Sequence, residues 1–119
     1  MTTEIQWMDE PDYAAAAKFL SLLNLVDPRG IIDGLKTAPA EFYFAKDVLR
    51  ASKEPLLGRD NTLVKNDLQK IYGGEQLSPV LLVRGNLHQN RSLVIADGYH
   101  RVCAAYLSDE NSTVKCRIV

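Results

Sequence analysis

The chain of 119 residues is poor in several things at once, and each shortage removes a class of protein. It has two cysteines, Cys103 and Cys116, too few for a disulfide framework and without metal-ligand spacing. No apolar run approaches the ~20 residues of a membrane-spanning helix. The opening Met1-Thr2-Thr3-Glu4-Ile5-Gln6-Trp7 lacks a signal-peptide pattern, so the cytoplasm is the expected compartment. Charge of one sign is also missing: 14 Lys and Arg stand against 15 Asp and Glu, leaving no global field to attract DNA or an acidic membrane. Gly-x-x-x-x-Gly-Lys-Ser/Thr, Gly-x-Gly-x-x-Gly and His-Glu-x-x-His are absent, as is a serine in a nucleophile-elbow context. His88 stands in a polar loop with no evident co-ligands and reads as a solvated side chain.

What is present is an ordinary soluble composition, 46% apolar and 24% charged, in a length that suits one domain over residues 1–119. Residues 1–10 read as an extended polar arm carrying Trp7. Pro11-Asp12 opens a helix predicted to run to about Asn24, with Tyr13, Ala16, Ala17, Leu20 and Leu23 on one face. Asp27-Pro28 is an N-cap followed by proline at the first helical position, and Gly34 is expected to end that helix. Thr37-Ala38-Pro39 starts a third, with Phe42, Ala45, Val48 and Leu49 inward, so residues 1–52 read as a helical layer. The aromatic run Phe42-Tyr43-Phe44 also suits a strand. Residues 53–119 then read as helix, strand, strand, helix, strand. Thr62 to Tyr72 is the helix, with Leu63, Val64, Leu68 and Ile71 as its face and Asn61 or Asp60 as its cap. Strands at 80–84, 92–96 and 113–118 are expected to share one sheet. The fold class is therefore α+β, a small mixed sheet with helices.

One stretch concentrates chemistry. Leu93-Val94-Ile95-Ala96 is a buried strand, and Asp97-Gly98 turns it into a helix whose Tyr99, Val102, Cys103 and Tyr106 fall at i, i+3, i+4 and i+7. Asp97 is the natural N-cap, and Gly98 permits close approach of a ligand. His100 and Arg101 stand on the first turn, beside free N–H groups at the positive end of the helix dipole. That combination suits an anion, most simply a phosphate. Both side chains are expected to face solvent. Arg59 reaches a second phosphate if its loop folds over the turn. Both cysteines read as small core residues.

The order of elements from Asp60 to Val119 resembles the ParB/sulfiredoxin superfamily. The residues that carry the resemblance are Asp60-Asn61, the helix with Leu63, Val64, Asp67, Leu68 and Ile71, Gly74, Leu77-Ser78-Pro79-Val80-Leu81-Leu82-Val83, and Ile95 to Arg101 with Ala104-Ala105-Tyr106. Gly98 and Arg101 match the first and last residues of the ParB-like Gly-Glu-Arg-Arg turn. Gly98, His100 and Arg101 match the sulfiredoxin Gly-Cys-His-Arg turn, with Tyr99 in place of the catalytic cysteine. Asp97-Gly98-Tyr99-His100-Arg101 is similar to the Asp-Gly-His-His-Arg turn of the superfamily's free-serine kinases.

The resemblance implies a nucleotide pocket, with ATP or another nucleotide and Mg²⁺ as cofactor. Gly98, Tyr99, His100, Arg101 and Arg59 would hold nucleotide or phosphate, and Asp97 and His100 would serve any phosphotransfer. Sulfinic acid reduction is not expected without the cysteine, and DNA is not an expected partner. The alternative is a non-enzymatic interaction module with a vestigial pocket, its N-terminal helices docking a protein such as a toxin or a regulatory partner.

Overall fold

The computed structural model describes residues 4–119. Its elements in chain order are β1 (Gln6–Trp7), α1 (Tyr13–Leu20), α2 (Pro28–Thr37), β2 (Glu41–Phe44), α3 (Ala45–Ser52), α4 (Thr62–Tyr72), β3 (Gln76–Leu77), β4 (Val80–Val83), β5 (Val94–Asp97), α5 (Tyr99–Ser108) and β6 (Thr113–Ile118). A single 3₁₀ turn, Leu87–Gln89, interrupts the β4–β5 connection. The class is α+β.

Local chemistry accounts for most helix starts. The Asp12 carboxylate accepts from the Ala15 N–H at 3.0 Å, and Asp27 accepts from Gly30 N–H at 3.0 Å ahead of Pro28. Asn61 Oδ1 accepts from the N–H groups of Leu63 and Val64 at 3.0 and 3.1 Å. Each such cap stabilises its helix by about 1 kcal/mol. Two helix ends differ from expectation. α1 stops at Leu20 rather than Asn24, and α2 runs three residues past Gly34 to Thr37.

The main sheet has the order β2-β6-β4-β5. β4 and β6 run parallel, pairing Val80 with Cys116 and Leu82 with Ile118, while β5 is antiparallel to β4 and β2 to β6. The strands expected at 80–84, 92–96 and 113–118 thus share one sheet. The helical layer expected over residues 1–52 is corrected by β2. Phe42-Tyr43-Phe44 is a strand on the sheet edge, with Phe42 and Phe44 exposed, because its backbone groups find partners in β6. β1 lies parallel to β3 in a separate two-stranded pair, so the arm's Trp7 packs on the core. Residues 1–3 of that arm lie outside the described residues.

β4 is apolar at every position because both of its faces are covered. Val80 and Leu82 join Ile95, Val114 and Cys116 beneath α3, α4 and α5. Leu81, with Val83 and Val94 packed alongside, faces Ala16 and Leu20 of α1 and Leu35 of α2. α5 contributes Val102, Cys103, Ala104 and Ala105, all fully buried, and α4 contributes Val64, Leu68 and Ile71. Leu63 does not join them; it is exposed.

Candidate functional site

The β5–α5 junction forms the floor of a cleft of about 390 Å³. Ile95, Ala96, Asp97, Gly98, Tyr99 and His100 line it from below, Ala15 and Phe19 of α1 form one wall, and Glu54 stands at the rim. Two backbone irregularities shape this floor. A bulge puts Ala96 in excess, since Leu82 pairs with Ile95 but Leu81 pairs with Asp97. Bulges bend a strand and redirect the side chains that follow. Gly98 then adopts φ 107°, a left-handed conformation closed to most side chains. A Cβ there would lie 2.8 Å from both Val80 Cγ2 and Arg101 Nη2.

Asp97 is not the N-cap. It is the last residue of β5; Gly98 occupies the cap position, and no side chain caps α5. The Asp97 carboxylate is instead taken by Arg101, whose Nη2 donates to Oδ2 at 2.8 Å with both side chains more than four-fifths buried. Arg101 therefore does not face solvent as expected. A residue on the first turn of α5 reaches back to the strand end at i−4, and the guanidinium fills the space that Gly98 leaves. Its Nε is buried without a hydrogen-bond partner.

His100 and Tyr99 line the cleft side by side, their ring centroids 5.5 Å apart and tilted. The Tyr99 hydroxyl donates to the Pro55 carbonyl, tying α5 to the loop that carries Glu54. Loss of hydration pushes the Tyr99 hydroxyl's pKa up, with Cys103 and Glu54 adding to the effect, so it remains a donor.

Sequence reasoning missed two carboxylates. Asp67, half-buried on α4, has its pKa raised by burial, against the attraction of Arg101, Lys70 and His100. Glu54 reaches the rim from the α3–α4 loop. Neither has a local motif: the packing of α4 on α5 brings Asp67 near Arg101 and His100, outside the cleft lining, and the Tyr99–Pro55 contact holds the loop that carries Glu54.

Arg59 is not at this cleft. Its Nη2 donates to the Leu107 carbonyl at 2.8 Å, at the C-terminal end of α5. Ten residues at 1.5 Å rise separate the two ends by about 14 Å. The cysteines lie in the core. Burial raises the Cys103 thiol, with Glu54 adding and the Leu57 backbone opposing, and burial pushes Cys116 up to about 12. Neither resembles the electropositive, accessible setting of a reactive thiolate.

Among the described residues no group of three or more His, Cys, Asp or Glu could hold a metal ion on its own. Mg²⁺ is commonly held by one or two carboxylates together with substrate phosphates. Glu54 and the second oxygen of Asp97 are the carboxylate atoms available for that at the cleft. Among the described residues no helix is long and apolar enough to cross a membrane. Comparison of the chain with protein-family models, curated proteins and solved structures gives no match.

Proposed function

We propose that the cleft binds the phosphate of a nucleotide or of another phosphorylated small molecule, in a cytoplasmic protein. The observation that carries this reading is the N-terminus of α5. It has no side-chain cap and opens on the cleft, beside a guanidinium with a buried, unpartnered Nε. Uncapped N–H groups and the helix dipole favour an anion, and Arg101, which does not itself line the cleft, adds positive charge behind its floor. The volume falls within the range of small-molecule pockets. The resemblance of residues 60–119 to the ParB/sulfiredoxin superfamily supports the same reading and favours a nucleotide with Mg²⁺.

Roles divide by geometry. Gly98 lets the backbone approach the ligand, and Arg101 counters its charge while Asp97 holds the guanidinium in place. His100, half-buried in the cleft wall rather than facing solvent as expected, is the titratable group placed for any proton transfer, and Tyr99 forms a wall. Asp97 serves as a positioning residue or a Mg²⁺ ligand rather than as a base, since its carboxylate is already engaged.

Thermal-shift measurements with ATP, ADP, CTP and GTP, each with and without Mg²⁺, test the reading. A ligand at 100 times its dissociation constant adds about 2.7 kcal/mol of stability. One nucleotide should raise the melting temperature of the wild-type chain and leave His100→Ala with a smaller rise. Absence of a shift with all four overturns the nucleotide reading.

A second reading, a surface for a protein partner on the N-terminal helices, is favoured by a separate observation. Phe19, Leu22, Leu23 and Val26 are all exposed around the end of α1.

A further inference from the structure

A trough of about 450 Å³ runs beside β5, an edge strand of the sheet. Phe19 and Leu23 form one side, Val94 and Ile95 the floor, and Arg84 and Arg91 stand at one end. Phe19, Glu54 and Ile95 line both this trough and the phosphate cleft, so the two hollows meet.

Two features of this surface have no use within the fold. Phe19, Leu22, Leu23 and Val26 are 40, 80, 37 and 105% exposed, four large apolar side chains within eight residues. Isolated exposed apolar residues are ordinary, but a cluster marks a surface that something covers. The guanidinium groups of Arg84 and Arg91 have no hydrogen-bonded or ion-paired partner among the described residues. Both residues line the trough, and the Asn86–Arg91 bridge closes the β4–β5 connection between them. Arg91 also borders the hollow formed by Leu22 and Val26.

We propose that this trough docks a short acidic and apolar segment of a partner protein. Its apolar side chains would lie on Phe19, Leu23 and Val94, with its carboxylates on Arg84 and Arg91. Charge selects this occupant: Arg84 and Arg91 outnumber Glu54, the one carboxylate lining the trough, and two unpaired guanidiniums pair with carboxylates, often two bonds at a time, and repel a basic segment. Extent selects a macromolecule, since Leu22 and Val26 lie beyond the trough and a small ligand within it leaves them bare. The proposal rests on the partner-surface reading above and is independent of the phosphate reading.

The test uses the full chain as bait for a displayed library of random peptides, followed by titration of the selected peptides in solution. Selected sequences should combine apolar residues with Asp or Glu. The double reversal Arg84→Glu with Arg91→Glu, at exposed positions, should weaken their binding at least about tenfold, or 1.4 kcal/mol. Peptides carrying Lys in place of the acidic residues should regain affinity for that variant, while nucleotide-induced thermal shifts stay unchanged. Selection of peptides without carboxylates, or affinities that ignore the reversal, overturns the proposal. So does sedimentation showing a dimer that blocks the peptides, which would make a second copy of the chain the occupant.

Discussion

At its C-terminal end α5 is supplied with donors from three directions, whereas at its N-terminal end no side chain is supplied at all. Ser108 Oγ and the Asp109 N–H both donate to the Ala105 carbonyl, and Arg59 comes from a distant loop to donate to Leu107. At the other end Gly98 brings no capping group, and Asp97, the side chain best placed to cap, is turned to Arg101. α1, α2 and α4 carry side-chain caps while α3 and α5 do not, and at α5 the reason is local. The carboxylate that would cap the helix holds the arginine. On the proposed reading a ligand phosphate takes the cap's place, and both the omission and the ion pair serve the same anion.

The sharpest way to break that contrast is to close the open end. Gly98→Ala puts a Cβ into the space occupied by Val80 and Arg101 and forces a strained backbone conformation. Backbone strain and overpacking together should cost roughly 2–5 kcal/mol. Chemical denaturation should show that loss, and nucleotide-induced shifts should disappear in whatever folded protein remains. A Gly98→Ala chain that keeps wild-type stability would mean the turn relaxes freely and is not a built floor.

Removing Arg101 comes next. If the pair faced solvent, Arg101→Ala would leave the fold unchanged or slightly stabilised; with both partners largely buried it should instead cost about 1–3 kcal/mol by stranding Asp97. It should also change the pH dependence. Asp67 already titrates above its usual 3.8 because burial disfavours its charge, and Arg101 partly offsets this. A carboxyl whose folded pKa is raised contributes stability below its unfolded pKa, and that contribution is lost as pH rises through the folded pKa. Without Arg101 the folded value moves higher, so the fall in stability between acid and neutral pH should steepen. Melting temperatures across that window decide it. A pH profile parallel to wild type would show that Arg101 and Asp67 are not coupled.

The smallest effect belongs to the finished end. Arg59→Ala should cost about 0.3–1 kcal/mol, the usual range for a cation at a helix C-terminus. Nucleotide shifts should be unaffected. A lost nucleotide shift with intact stability would return Arg59 to the phosphate cleft and erase the difference between the two ends.

Much of this contrast was readable in the residues and some was not. Asp12, Asp27 and Asn61 announce their helices because capping is local, and β4 announces itself because burial on both faces removes polar alternation. The turn of β5 into α5 was legible for the same reason, from a glycine between two periodicities. Asp97 was misjudged because an N-cap and an i+4 ion pair begin from the same residue, and only the space above Gly98 decides between them. Phe42-Tyr43-Phe44 satisfies a helical spacing with Ala45, Val48 and Leu49, and its strand pairing depends on β6, some seventy residues away. Leu23 continued the α1 stripe in sequence, yet the helix ends at the buried Leu20 and leaves Leu23 beyond it exposed. Asp67, Glu54 and the true position of Arg59 are matters of tertiary approach, which no short window contains.

The position of β6 between β2 and β4 has a consequence for how the chain is made. As the chain grows, β2 and β4 are complete long before residues 113–118 exist, but neither bonds to the other. Until β6 arrives, each keeps an open edge facing the gap between them. During synthesis the growing chain therefore carries two exposed strand edges, the hazard that sheet proteins commonly guard against. A chain lacking residues 113–118 would have no strand bonded to both β2 and β4, and its main sheet would fall into two parts. β6 alone satisfies both of those edges.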